Sequence, residues 1–88
     1  MKTYVEKIVL ILNEDYIESF KNLSEAIKTF DDFKKIWFEK NKKVTIYKSG
    51  ERSISDDENT LELYFINKTV SDKDFEMLHP ASIANLEL

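Results

Sequence analysis

Apolar and polar positions along this chain follow two periods, one helical and one extended. From Leu23 to Asn41, LSEAIKTFDDFKKIWFEKN, the apolar residues recur with helical spacing. Ala26, Phe30, Phe33 and Trp37 stand at i, i+4, i+7 and i+11 and share a narrow arc at about 100° per residue. Leu23 extends that arc, Ile36 lies at one margin, and Ile27 and Phe38 lie at the other. Lys28, Asp31, Asp32, Lys35 and Glu39 take the opposite face. The pattern predicts a helix over 23–41. Ser24, or Asn22 in an N-x-x-E arrangement with Glu25, is the expected N-cap. Lys40, Lys42 and Lys43 sit at the end where cations suit the helix dipole. Burying Phe30, Phe33 and Trp37 would contribute roughly 2–3 kcal/mol each, so the stripe reads as the core face. Phe38, off the main arc and beside lysines, reads as an exposed contact residue.

The remaining segments favour strands. In Thr3–Leu12 the run Ile8–Leu12 is apolar without alternation, as in a strand covered on both faces. Asn13-Glu14-Asp15 is a turn signal. Tyr16–Phe20 fits a strand with Tyr16, Glu18 and Phe20 on one face, or a helix capped by Asn13; the strand is the favoured reading. In Lys43–Lys48, Val44 and Ile46 alternate with Thr45 and Tyr47. Ser49-Gly50 is a hairpin signal, since glycine takes φ > 0 at no steric cost, and Arg52–Ser55 pairs back. After the polar turn Asp56–Asn59, Thr60–Asn67 alternates cleanly, with Leu61, Leu63 and Phe65 inward and Glu62 and Tyr64 outward. Ser71 caps a short helix to Leu78, which His79-Pro80 ends, and Pro80 suits the first position of one more turn.

The order β-β-α-β-β-β-α in one domain spanning 1–88 predicts an α+β fold, a small antiparallel sheet on one main amphipathic helix. One helix covers one sheet face. The other face, near Val5, Val9 and Ile11, needs a cover of its own. The tail residues Met77, Leu78, Ile83 and Leu86 are one candidate, and a second subunit in a homodimer is the other.

Composition narrows the chemistry. The chain has 88 residues and no cysteine, which excludes disulfides and thiolate catalysis. Ile8–Leu12 is too short for a secretory h-region and no run approaches a membrane span, so cytoplasmic residence is the expectation. With Gly50 as the single glycine, a phosphate-cradling loop is not expected. His79 is the single histidine and has no cysteine or second histidine to complete a zinc site. Asp56-Asp57-Glu58 lacks EF-hand spacing, and Asp31 and Asp32 sit on an exposed helix face. No serine lies in a G-x-S-x-G elbow. No catalytic, metal or cofactor residue is therefore assigned.

Charge divides the chain. Residues 1–48 carry +2 and residues 49–88 carry −6. Lys34, Lys35, Lys40, Lys42, Lys43, Lys48 and Arg52, with Phe38 and Tyr47 nearby, make a basic stretch of the kind that binds single-stranded nucleic acid. Asp31, Asp32, Glu39 and Glu51 interrupt it. The acidic half favours a protein partner with a basic surface. The expected role is a non-enzymatic protein-interaction module, an inhibitor or adaptor of the kind phages and mobile elements encode, binding a host protein such as one of a nucleic-acid-handling defence system. The alternative is a single-stranded nucleic-acid-binding regulator using the Lys34–Arg52 stretch. The expected partner-binding residues are Phe38, Tyr47, Asp56, Asp57, Glu58, Glu62, Tyr64, Asp72, Asp74 and Glu76.

Overall fold

The computed structural model describes all 88 residues. In chain order the elements are β1 (Lys2–Leu12), β2 (Asp15–Phe20), α1 (Leu23–Trp37), β3 (Thr45–Ile46), β4 (Arg52–Ser55), β5 (Thr60–Val70), α2 (Asp72–Glu76) and a 3-10 turn at Pro80–Ser82. The strands form one antiparallel sheet in the order β2-β1-β5-β4-β3. The molecule is an α+β fold, as the pattern predicts. Tyr16–Phe20 is a strand, and both hairpin signals are real turns.

The two turns that close on themselves need unusual backbone. Asn13 and Glu14 both take positive φ, 50° and 70°, the pair required by a two-residue hairpin whose twist matches its strands. Gly50 sits at φ 106°. A Cβ there would lie 3.3 Å from Leu23 Cδ2, so this glycine answers both a backbone and a packing demand.

β1 and β5 are long, eleven residues each, and pair along their whole length. They give the molecule its 47 × 22 × 21 Å shape. A bulge in β1 between Val5 and Lys7 leaves Glu6 without a cross-strand partner. The bulge reverses which face the alternating side chains take. After it, Ile8, Leu10 and Leu12 face α1, and Lys7, Val9 and Ile11 face away. Before it, Val5 packs on the helix side and Tyr4 turns to the other. Val5 therefore belongs to the main core and not to the second face expected for it.

The core lies between the sheet and α1. Ile8, Leu10, Leu61, Leu63 and Ile54 meet Leu23, Ala26 and Phe30, and Phe33 packs against them half-buried. Two expectations about the helix fail together. It ends at Trp37, not Asn41, and Phe38 is extended at φ −130° and ψ 156°. That break swings Phe38 into the core, where it is buried, while Trp37 remains 42% exposed. The exposed aromatic residue here is Trp37, and Phe38 shows only its 7% exposed edge. The N-terminus of α1 also differs. Asn22 holds the N-cap position without a side-chain bond, and Ser24 is within the helix. The C-terminal tail does the capping: Leu23 N–H donates to Asn85 O at 2.8 Å and Asn85 N–H donates to Lys21 O at 2.7 Å. A backbone carbonyl thereby satisfies one of the donors that a helix start leaves free.

The tail covers part of the second sheet face. Phe75 of α2 packs on Tyr4 with ring centroids 6.1 Å apart, and Leu78 lines the same place. Ala84 is buried in the main core, and its N–H donates to Val5 O at 2.8 Å. Of the other tail residues expected to cover that face, Ile83 is half-buried and Met77 and Leu86 are exposed. No element lies over the middle of this face, along Val9, Ile11 and Tyr64.

Candidate interaction site

The last turn of α1 and the Asp56–Asn59 turn face each other across an open cleft of about 500 Å3. Its helix wall is Ile36 and Trp37, 78% and 42% exposed. Its other wall is Asp56, Asp57, Glu58 and Asn59, with Glu39 and Lys42 between. The turn is built by Asp56. Its carboxylate oxygen Oδ1 accepts from Glu58 N–H at 2.8 Å and Asn59 N–H at 2.7 Å, and its own N–H donates to Asn59 O. These backbone donors, that of Asn59 first, hold the Asp56 carboxyl below its ordinary value, with Lys42 adding a smaller pull. Asp56 is thus occupied in making the turn. Asp57 and Glu58 are exposed and have no ion-pair partner: the chain's ion pairs are the Met1 amine with Asp72 at 3.0 Å and Lys68 with Glu6 at 3.7 Å.

The Asp56–Asn59 turn is tied to the β1–β2 turn. Asn13 Nδ2 donates to Asn59 Oδ1 at 2.9 Å, and Thr60 N–H donates to Asn13 Oδ1 at 2.8 Å. Glu14 and Glu58 therefore sit on one end of the molecule, sharing a shallow depression with Ile11, Glu62 and Tyr64. Tyr47, Glu62 and Tyr64 line a further depression on the outer sheet face, where Tyr47 Oη lies 3.4 Å from Ser53 Oγ. Glu62 and Tyr64 face outward as expected but are half-buried among these neighbours.

The ten expected partner-binding residues do not form one surface. Asp56, Asp57 and Glu58 join Trp37, while Tyr47, Glu62 and Tyr64 share the sheet face. Asp72, Asp74 and Glu76 lie on or beside α2, past the far end of β5, an eleven-residue strand about 35 Å long. There Asp72 meets the Met1 amine, and Asp74 N–H donates to the Ser71 hydroxyl at 3.1 Å, the expected cap. Ile36 and Trp37 are exposed apolar residues of this cleft that periodicity did not single out. Their position at the very end of the amphipathic run, beyond which no partner element is guaranteed, is the only sign of it in the sequence.

The basic stretch is also divided. Lys34, Lys35 and Lys40 share a groove with Phe38 and Glu39. Lys42 lines the cleft opposite Asp56, and Arg52 is half-buried in β4. No group of three or more His, Asp or Glu side chains is placed to hold a metal ion, and no helix is long and apolar enough to cross a membrane. No protein-family model, curated protein or solved structure matches the chain.

Proposed function

We propose that this protein is a non-enzymatic interaction module that docks through the cleft between α1 and the Asp56–Asn59 turn. The observation that carries this reading is Trp37, 42% exposed beside the more exposed Ile36 and facing carboxylates without ion-pair partners. Tryptophan is the residue type most often found at the energetic centre of an interface, and a polar rim around an apolar anchor is the usual arrangement. Here the rim is acidic. Asp57, Glu58 and Glu39 would meet basic side chains, and such complementarity steers and orients association. The role that fits is occlusion or bridging, as an inhibitor or adaptor of a host protein. Proteins that handle nucleic acid present basic surfaces of this kind and are the natural targets for an acidic phage or mobile-element product.

The test is affinity capture from the native host with the wild-type chain, with Trp37→Ala, and with Asp57→Lys combined with Glu58→Lys. One partner should be enriched by the wild type and lost with both variants. Enrichment of no protein, or equal enrichment by all three chains, overturns the reading. Saturable binding of a mixed single-stranded oligonucleotide at low salt, lost on changing Lys34 and Lys35 to Glu, would replace it with nucleic-acid binding.

A further inference from the structure

The middle of the outer sheet face is uncovered, and its chemistry is self-complementary. Cross-strand register sets three rows of side chains across β1 and β5: Lys7 beside Ile66, Val9 beside Tyr64, and Ile11 beside Glu62. Val9 is 4% exposed yet stands outside the main core. Its cross-strand neighbours are Tyr64 on β5 and Ser19 on β2. Along β1 and β5 the face is thus mostly apolar, with one cation in its first row and one anion in its third, and Ser19 of β2 and Ser53 of β4 flank it. Neither Lys7 nor Glu62 has an ion-pair partner within the chain.

We propose that this face is the contact between two copies of the chain. A two-fold axis running across the strands at the Val9–Tyr64 row leaves that row facing itself and exchanges the outer two. Lys7 of one copy then stands over Ile11 of the other, one strand away from its Glu62, within reach of a long side chain. Each copy supplies one such pair, as an isologous interface requires. The same operation reverses strand direction, so the acidic turns at Glu14 and Glu58 point to opposite ends of the dimer and do not repel each other.

The size of the face sets the strength. Three rows along the strands and four neighbouring strands across give roughly 400 Å2 per copy, from row and strand spacings of about 6.7 and 4.8 Å. The total of about 800 Å2 is below the roughly 1,200 Å2 where stable specific interfaces begin, so the dimer is a weak one. Glu58 borders both sites, but Trp37 lines the helix-end cleft and not this face, so Trp37→Ala tests the docking proposal separately from the dimer.

Sedimentation velocity across about 5 to 500 μM, where weak association shows, tests the contact. The weight-average mass should climb from 10.4 kDa toward twice that. Lys7→Glu alone and Glu62→Lys alone should each weaken association about tenfold, and the two together should restore it, because the exchanged charges meet again. Tyr64→Glu should leave a monomer; if that chain fails to fold, the charge-exchange pair decides alone. A mass that stays at one chain throughout overturns the proposal, as does a dimer that neither single charge reversal weakens or that the double reversal does not restore.

Discussion

Asn13 and Thr60 are bound to each other twice. Asn13 N–H donates to Thr60 O at 2.8 Å, and Thr60 N–H donates to the Asn13 side-chain oxygen at 2.8 Å. The second bond continues the β1–β5 ladder one step past Leu12 and Leu61, with a side chain standing in for a strand carbonyl. Asn13 Nδ2 then reaches Asn59. One residue thus joins the two turns that carry Glu14 and the Asp56–Glu58 carboxylates.

Two variants separate its roles. Asn13→Gly keeps a residue at ease with φ 50° but removes both side-chain bonds. It should cost about 1–2 kcal/mol in urea unfolding, in line with the loss of two exposed hydrogen bonds. Asn13→Ala adds the strain of a Cβ at positive φ and should cost about 1 kcal/mol more. Equal losses for the two variants would show that backbone conformation contributes nothing at this position.

Phe38 and Trp37 make a second, sharper contrast. Phe38 is buried in the core cluster, so Phe38→Ala should destabilise by about 3–5 kcal/mol, near the limit of what so small a chain tolerates. Trp37→Ala should cost less, about 1–2 kcal/mol, because 42% of the residue remains in solvent. A helix continuing through Asn41 would reverse this ranking, so thermal melts of the two variants distinguish the geometries directly.

The same pair shows where the sequence was legible and where it was not. Ala26 and Phe30 were readable as a core face because they lie inside a regular helix, where angular bookkeeping at about 100° per residue holds, and Leu23 at its start continues the same arc. Trp37 and Phe38 lie at the point where the helix stops, and no residue there announces the stop: neither glycine nor proline follows until Gly50. Lys34, which accepts the last helical bond from Phe38 N–H at 3.0 Å, is unremarkable in sequence. The β1 bulge at Glu6 was hidden for a similar reason, since one unpaired residue leaves no mark on composition but reassigns Val5 and Tyr4 to opposite faces. The Ser49-Gly50 hairpin, Arg52–Ser55 and the Ser71 cap were readable because local chemistry alone decides them. The cleft brings residues 36–42 against 56–59 and depends on how far the helix runs, so it was out of reach.

Asp56 makes the acidic turn sensitive to pH. Its carboxyl is held below the usual value by the Asn59 and Glu58 N–H groups. A carboxylate lowered in this way adds stability above its unfolded pKa, about 4, and loses it as pH falls through the lower folded value. Asp56→Asn retains an acceptor oxygen but not the charge. The wild type should be the more stable chain at neutral pH, with the gap closing as pH falls below about 4. Parallel urea titrations from pH 7 downward measure that gap. A gap that is constant with pH, or that widens in acid, would show that the turn does not depend on the ionised form.

Glu51 ends the sheet in a way that hydrogen exchange can test. The β4–β5 ladder stops at Arg52 and Leu63, which would leave the next inward-facing donor, Phe65 N–H, without a strand partner. Glu51 Oε2 accepts it at 3.0 Å, and Ser49 Oγ donates to Oε1 of the same carboxylate at 2.8 Å. An acidic side chain here is therefore a piece of the sheet as well as a surface charge. Glu51→Ala leaves a part-buried amide unpaired and should cost about 1–2 kcal/mol. Glu51→Gln keeps one oxygen in place and should recover most of that. The Phe65 amide should exchange much faster in the alanine chain, while Leu63, held by the regular ladder, keeps its protection. If Phe65 exchanges at the same rate in all three chains, the carboxylate is not its partner in solution, and the Tyr47–Arg52 hairpin is held to β5 by the Arg52–Leu63 end of the ladder and by the close approach of Gly50 to Phe65.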